Sequence, residues 1–243
     1  MRLLLVGIGT GNPDHLTAQA AQALAGADLI LIPDKGAEKA DLAALRHLIC
    51  DSVAPGVPRV GFAVPQRDAS GDYQQGVSDW HDAIAAEWAR AIGDQTGTVA
   101  LLVWGDPSLY DSTLRIAERL HPRPEVQVIP GITALQMLTA AHAIPLNTVG
   151  GPVTITTGRQ LRDHGWPEAA ETVAVMLDGA CSFQALDPAG LVIWWGAFLG
   201  MDQQILDHGP LDQAGPRILA ARAEARAVHG WIMDIYLLRK VAA

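Results

Sequence analysis

Leu3-Leu4-Leu5-Val6-Gly7-Ile8-Gly9-Thr10-Gly11-Asn12-Pro13 decides how the rest of this 243-residue chain is read. An uninterrupted apolar run that meets glycine suits a strand buried on both faces, as in parallel sheets. The glycines permit positive φ and close approach of the backbone to a ligand. Their spacing is G-x-G-x-G followed by proline. That is neither the G-x-G-x-x-G of dinucleotide-binding turns nor the G-x-x-x-x-G-K-[ST] of phosphate loops. Taken alone, the stretch fits a tight structural turn as well as a ligand loop.

Outward from it, strand and helix patterns alternate. Residues 16–27 have helical spacing with Thr17 as cap, and 29–32 read as a strand. Residues 41–49 read as a helix with Leu42, Leu45 and Ile49 on one face. A strand follows at 60–64, then a Pro/Gly-rich loop at 65–72. Val77, Trp80, Ile84, Trp88 and Ile92 form a helical stripe, 99–103 a buried strand and 112–120 a helix. Such alternation predicts an α/β architecture with a mostly parallel sheet.

His121-Pro122-Arg123-Pro124 reads as a linker, which predicts two α/β domains, 1–121 and 125–243. In the second, strands are expected at 126–129, 153–157, 173–177, 191–195 and 232–238, and helices at 133–143, 182–186 and 201–206. Its higher strand content predicts a mixed sheet.

Composition narrows the classes of function. The chain is 49% hydrophobic and 18% charged, which suits a globular protein with a substantial core. Lys+Arg is 17 and Asp+Glu is 26, a net charge of −9. An acidic chain has no general field to attract nucleic acid, so none is expected as a partner. Cys50 and Cys181, the two cysteines, show no metal-ligand spacing, so neither a disulfide scaffold nor a metal site is expected. The first apolar run is too short for a signal segment. No stretch approaches the roughly 18 apolar residues of a membrane span. A soluble, cytoplasmic protein with no membrane association is expected.

Two more loops follow apolar strands. Gly105-Asp106-Pro107-Ser108-Leu109-Tyr110 follows residues 99–103, and Pro130-Gly131-Ile132-Thr133-Ala134 follows 126–129. Ligands in open α/β sheets bind beyond the carboxyl ends of strands. Asp106 there can accept from hydroxyl or ammonium donors, or cap the next helix as an Asx turn.

Together, G-x-G-x-G-x-P-D-x-L-T, G-D-P-S-x-Y and P-G-I-T-A resemble the tetrapyrrole methylases in order and spacing over essentially the whole chain. The resemblance implies two α/β domains with a cleft between them that holds S-adenosylmethionine (SAM), and a homodimer. It implies cofactor contacts at Pro13, Trp104, Gly105, Asp106, Leu109, Thr133 and Ala134. Met176, with Leu177 beside it, matches a methionine that packs on the adenosine. Ala220 and Ala221, in a late strand or turn after Pro216-Arg217, close the pocket by the same resemblance. Relatives usually have Gly-Gly-Asp-Pro in the second loop, so Trp104 departs from the common form.

Finer segments narrow the resemblance: Asp34-Lys35-Gly36-Ala37-Glu38-Lys39-Ala40-Asp41-Leu42, Gly71-Asp72-Tyr73, Asp79-Trp80-His81, residues 145–152, Thr156-Thr157-Gly158-Arg159-Gln160-Leu161 and residues 195–200. They resemble most the members that methylate carbon 1 of precorrin-5 and release its acetyl group as acetate. S-adenosylhomocysteine (SAH) would be the other product. Precorrins carry many carboxylates, so an acidic protein needs local positive charge. The three lysines are Lys35, Lys39 and Lys240. Lys35, Lys39, Arg67 and Arg159 are the candidate substrate contacts, with a solvated charged face as the alternative. The attacking water needs a base, for which Asp34 is best placed and His81 second; Tyr110 is a candidate to steer a carbonyl. Other readings stay open: methylation of another precorrin carbon, a nucleotide-dependent oxidoreductase, or a non-catalytic SAM-binding protein.

Overall fold

The computed structural model describes residues 1–34, 40–68 and 70–241. The chain divides into two compact units, Met1–Ile132 and Thr133–Ala243.

The first unit is a parallel sheet of β1 (Arg2–Gly7), β2 (Leu29–Asp34), β3 (Arg59–Ala63), β4 (Thr98–Val103) and β5 (Glu125–Ile129). Their order is β3-β2-β4-β1-β5. Between them run α1 (Ala18–Ala25), α2 (Ala40–Val53), α3 (Tyr73–Ile92) and α4 (Thr113–Ala117). Thr17 caps α1 by accepting from Ala20 N, as its position predicted. Strand alternation sorts the apolar run of β1 into two cores. Leu3 and Leu5 pack with Leu101, Val103, Ile84, Trp88 and Ile116 on the α3/α4 face. Leu4 and Val6 pack with Leu102, Ile30, Leu24 and Ile49 on the α1/α2 face. Each such fully buried side chain contributes roughly 1.5–3 kcal/mol.

The topology offers a place for a ligand. From β1 the chain leaves across the α1/α2 face toward β2. From neighbouring β4 it leaves across the opposite face, through α4, to β5. Connections that depart in opposite directions from adjacent strands open a crevice at the carboxyl ends of those strands.

The division of the chain falls later than the 121–125 linker reading. Residues 125–129 pair in parallel with β1, Val126 opposite Leu3 and Ile129 opposite Val6, so they complete the first sheet. Prolines around 122–124 turn the chain inside that unit.

The second unit is a mixed sheet of β6 (Val153–Thr157), β7 (Thr172–Met176), β8 (Leu191–Ala197), β9 (Ile205–Pro210) and β10 (Asp234–Lys240), in the order β6-β7-β10-β8-β9. Among its described residues, only β6 and β7 pair in parallel. Its helices are α5 (Ala134–Ala141), α6 (Gly158–His164) and α7 (Leu211–His229), and residues 182–185 form a 3-10 turn.

Two expectations are corrected here. The helix expected at 201–206 is a turn followed by β9, which pairs antiparallel with β8 as an edge strand. The strand or turn expected around Ala220 and Ala221 is the middle of α7. Gly215 and Pro216 read as breakers, and Pro216 does remove one interior hydrogen bond. Burial of Leu211, Ala214, Gly215, Ile218 and Ala225 along one face holds the helix together.

Candidate active site

The three loops of the first unit meet at the predicted edge. Gly9 and Gly105 bridge the first two: Gly105 N donates to Gly9 O at 2.7 Å and Gly9 N to Gly105 O at 3.3 Å. Asp106 joins the second to the third. Its Oδ1 accepts from Ser108 N at 2.8 Å and from Ser108 Oγ, and its Oδ2 accepts from Gly131 N at 2.8 Å. Asp106 is therefore an Asx cap and an inter-loop tie at once. Burial opposes its charge, but the hydrogen bonds from Ser108 and Gly131 outweigh that and hold the carboxyl below its usual range.

Glycine is required at this junction for space. A Cβ on Gly131 would lie 2.2 Å from Gly105 O and 2.8 Å from Gly7 Cα, all backbone atoms. At Gly105 the need is conformational: φ is +68°, and a Cβ there would meet no described atom within 4 Å. The second loop thus turns an open backbone face outward.

The other predicted contacts of this unit lie around the junction. Pro13 is exposed and opens a 3-10 turn, Pro13–His15, capped by Asn12. Trp104 and Leu109 are half-buried. Tyr110 is exposed with φ +50°, and partial burial pushes its phenol pKa up, so it remains a donor at neutral pH. Thr10 Oγ1, buried in the first loop, has no hydrogen-bond partner among the described residues. Open backbone, half-buried apolar side chains and an orphaned hydroxyl fit a ligand such as SAM, which carries an apolar adenosyl body and polar ends.

In the second unit, Thr133 forms a capping box with Gln136 at the start of α5, and Ala134 is its first residue. Met176 ends β7 half-buried, and Leu177 follows with φ +55° and 68% exposure. An exposed leucine in a left-handed conformation is costly and needs support. Asp178 supplies it: Tyr236 Oη at 2.6 Å, Ser182 N at 2.5 Å, Ser182 Oγ at 2.9 Å and Ala180 N at 3.1 Å all donate to its carboxylate. Arg222 Nη2 of α7 donates to Asp178 O at 3.3 Å. Met176, Leu177 and the α7 segment holding Ala221 are thereby brought together. Ala220, one residue earlier, is exposed.

The catalytic candidates separate. Asp34 ends β2, exposed at the carboxyl edge, and its carbonyl accepts from Val64 N. His81 is 4% exposed on α3. Burial, then Arg119 and Arg115, lower its pKa, so the ring is neutral. Its Nε2 is buried with no hydrogen-bond partner among the described residues, and its ring lies 5.6 Å from that of Trp80. Arg67 is exposed with its guanidinium 5.0 Å from the Tyr73 ring, and Arg159 is exposed on α6. Lys35 and Lys39 lie outside the described residues. No metal-binding group of His, Cys, Asp or Glu occurs among the described residues.

Sequence reasoning missed Arg46, Thr10 and Asp178. Arg46 carried the clearest signal, since it shares the buried face of α2 with Leu42, Ile49 and Cys50.

Fold, loops and junction define a methyltransferase class: a model of the tetrapyrrole (corrin/porphyrin) methylases matches residues 2–215, and the chain belongs to that family. The precorrin-6A synthase [deacetylating] of Sinorhizobium sp is 50% identical over 255 residues, 99% of this chain and 96% of that protein. The crystal structure of the cobalamin synthesis related protein CobF from Corynebacterium diphtheriae matches with a TM-score of 0.85 at 43% identity, covering 100% of each chain. Uroporphyrin-III C-methyltransferase from Thermus thermophilus, complexed with SAH, shares the fold at a TM-score of 0.57 and 21% identity over 98% of this chain and 92% of that one.

Proposed function

We propose that this protein is a precorrin-6A synthase, a SAM-dependent methyltransferase of cobalamin biosynthesis. It methylates precorrin-5 at carbon 1 and releases acetate by hydrolysis. Near-full-length identity to the Sinorhizobium precorrin-6A synthase carries this reading, in a chain whose three loops converge at the carboxyl edge. SAM supplies an electrophilic methyl group when bound.

The chain's own residues divide the work. Gly105, Leu109 and the Asp106 tie are the candidate SAM contacts of the first unit, and Met176 and Leu177 those of the second. Placement in line with the acceptor carbon supplies much of the rate, because methyl transfer needs little proton movement. Deacetylation does need it. Asp34 takes a proton from the attacking water, and the Tyr110 phenol donates to the acetyl oxygen as charge develops there. Arg67 and Arg159 offer guanidinium groups to substrate carboxylates. The protein acts as a cytoplasmic homodimer in this reading.

The test is incubation of the purified protein with freshly generated precorrin-5 and SAM, followed by mass spectrometry. Loss of the acetyl group with gain of one methyl is expected. Methylation with the acetyl retained would reassign the substrate carbon. SAH binding without turnover would make the chain a non-catalytic SAM-binding protein.

A further inference from the structure

Among the described residues, Arg46 is a cation without an ion pair. It is 5% exposed on α2. Its Nε donates to Leu102 O at 3.3 Å and its Nη1 to Leu42 O at 2.8 Å. Neither acceptor carries charge, and no carboxylate lies within ion-pair distance of it among the described residues. Nη2 has no acceptor there either. Asp111 exerts an attractive field, but its Oδ1 is taken by Thr113 N at 2.6 Å and Thr113 Oγ1 at 2.5 Å. Burial lowers the Arg46 pKa to about 10, which still leaves it charged at neutral pH.

Burying a guanidinium is costly, and compensation by two carbonyls is incomplete. Its location explains why the cost is borne. β2 pairs with β4 only through Leu29–Leu31 and Val99–Leu101. Leu102, the next residue of β4, gives its carbonyl to Arg46 instead. Trp104, the residue that departs from the family's usual glycine, stacks there with its ring centroid 5.9 Å from the Arg46 guanidinium carbon. α2 also packs against the Pro13–His15 turn. Among the described residues, Thr10 Oγ1 of the first loop and His15 Nδ1 of that turn are buried without hydrogen-bond partners. A polar ligand is the element such a group lacks.

We propose that Arg46, held by Leu102 O and Trp104, receives a carboxylate of the bound ligand at the carboxyl end of β4. This rests on the methyltransferase reading above. The carboxylate belongs either to the amino-acid end of SAM or to an acid side chain of the tetrapyrrole. Trp104 then acts as a positioning residue that fixes the plane of the guanidinium.

Titration calorimetry of the wild type and Arg46→Met with SAH and with methylthioadenosine, which lacks the amino-acid carboxylate, separates the sources. If SAM provides the carboxylate, Arg46→Met weakens SAH on the order of 10- to 100-fold and leaves methylthioadenosine unchanged, matching a lost charge-assisted bond. If the tetrapyrrole provides it, both thioethers bind unchanged and the KM for precorrin-5 rises by a similar factor at constant kcat. Arg46→Lys keeps the charge but loses the planar fork, so a smaller shift in the same quantity is expected. It is the variant to measure if Arg46→Met does not fold. SAH affinity and precorrin-5 KM both unchanged, or SAH and methylthioadenosine weakened equally, would overturn the proposal. Failure of the wild type to bind either SAH or precorrin-5 would overturn the methyltransferase reading with it.

Discussion

Asp106 Oδ2 accepts the Gly131 amide hydrogen at 2.8 Å, joining the loop after β4 to the loop after β5 across the end of β1. Because Oδ1 of the same carboxylate is committed to Ser108, an amide cannot replace it: one donor would face an NH2 group. Asp106→Asn is expected to cost about 1.5–3 kcal/mol of stability, the scale of a hydrogen bond to a charged group. SAH affinity should fall with it. Denaturant unfolding with an unchanged slope, together with calorimetry, checks both. Full stability and affinity in Asp106→Asn would show that the tie is incidental.

Gly131 and Gly105 should respond differently to the same added methyl. Gly131→Ala drives a Cβ into the Gly105 carbonyl and Gly7 backbone, so the loops must separate and SAH binding should be lost. Gly105→Ala meets no described atom and bears only the left-handed strain, about 1–2 kcal/mol. Equal loss of SAH binding in the two variants would count against the crowded junction.

Leu177 depends on the acceptor beneath it. Tyr236→Phe removes the 2.6 Å bond to Asp178 while keeping the ring that packs on Phe183. A loss of about 1.5–3 kcal/mol in unfolding free energy is expected. A neutral substitution would show that the Ser182 and Ala180 donors suffice.

Stability should decline on the acid side for two separable reasons. The His81 pKa is lowered in the fold, so the unfolded chain takes up the proton first and stability falls as pH drops below about 6.5. The Asp106 pKa is also lowered. Its contribution is present above about pH 4 and is lost as pH falls through the folded value. Unfolding measured from pH 7 to pH 3 should show both losses, and His81→Gln should flatten only the upper one. Stability that is level or rising over this range would contradict the assignments.

The catalytic candidates predict opposite outcomes. Asp34→Asn should slow acetate release on the order of 100- to 10,000-fold, the usual worth of a positioned base, and leave SAH affinity unchanged. His81→Gln should retain turnover. A sluggish His81→Gln with native stability beside an active Asp34→Asn would reverse the roles.

Periodicity revealed much of the first unit because β1, β4 and β5 each lead into a glycine-bearing loop, and α1 and α3 keep an apolar stripe. Thr17, the 77–92 stripe and all three loops could be placed that way. The second unit hid its elements where tertiary contacts overrule local signals. Ile205-Leu206-Asp207-His208-Gly209-Pro210 has no apolar alternation, and only pairing with β8 makes it a strand. Gly215-Pro216 reads as a break, yet α7 runs through it on the strength of its buried face. The polar partners were the least legible part of the site. Asp106 was visible as a loop acid, but Gly131 as its partner required β5 to lie beside β1. Arg46 is legible as an arginine on the apolar face of α2, but its acceptor, Leu102 O on β4, is set by tertiary packing.

The most direct test is a single turnover of precorrin-5 with methyl-labelled SAM in 18O-enriched water, counting label in the tetrapyrrole and solvent oxygen in acetate. One labelled methyl for each acetate carrying one solvent oxygen is the predicted result. A labelled tetrapyrrole with no acetate, or acetate free of solvent oxygen, would contradict hydrolytic deacetylation coupled to methyl transfer.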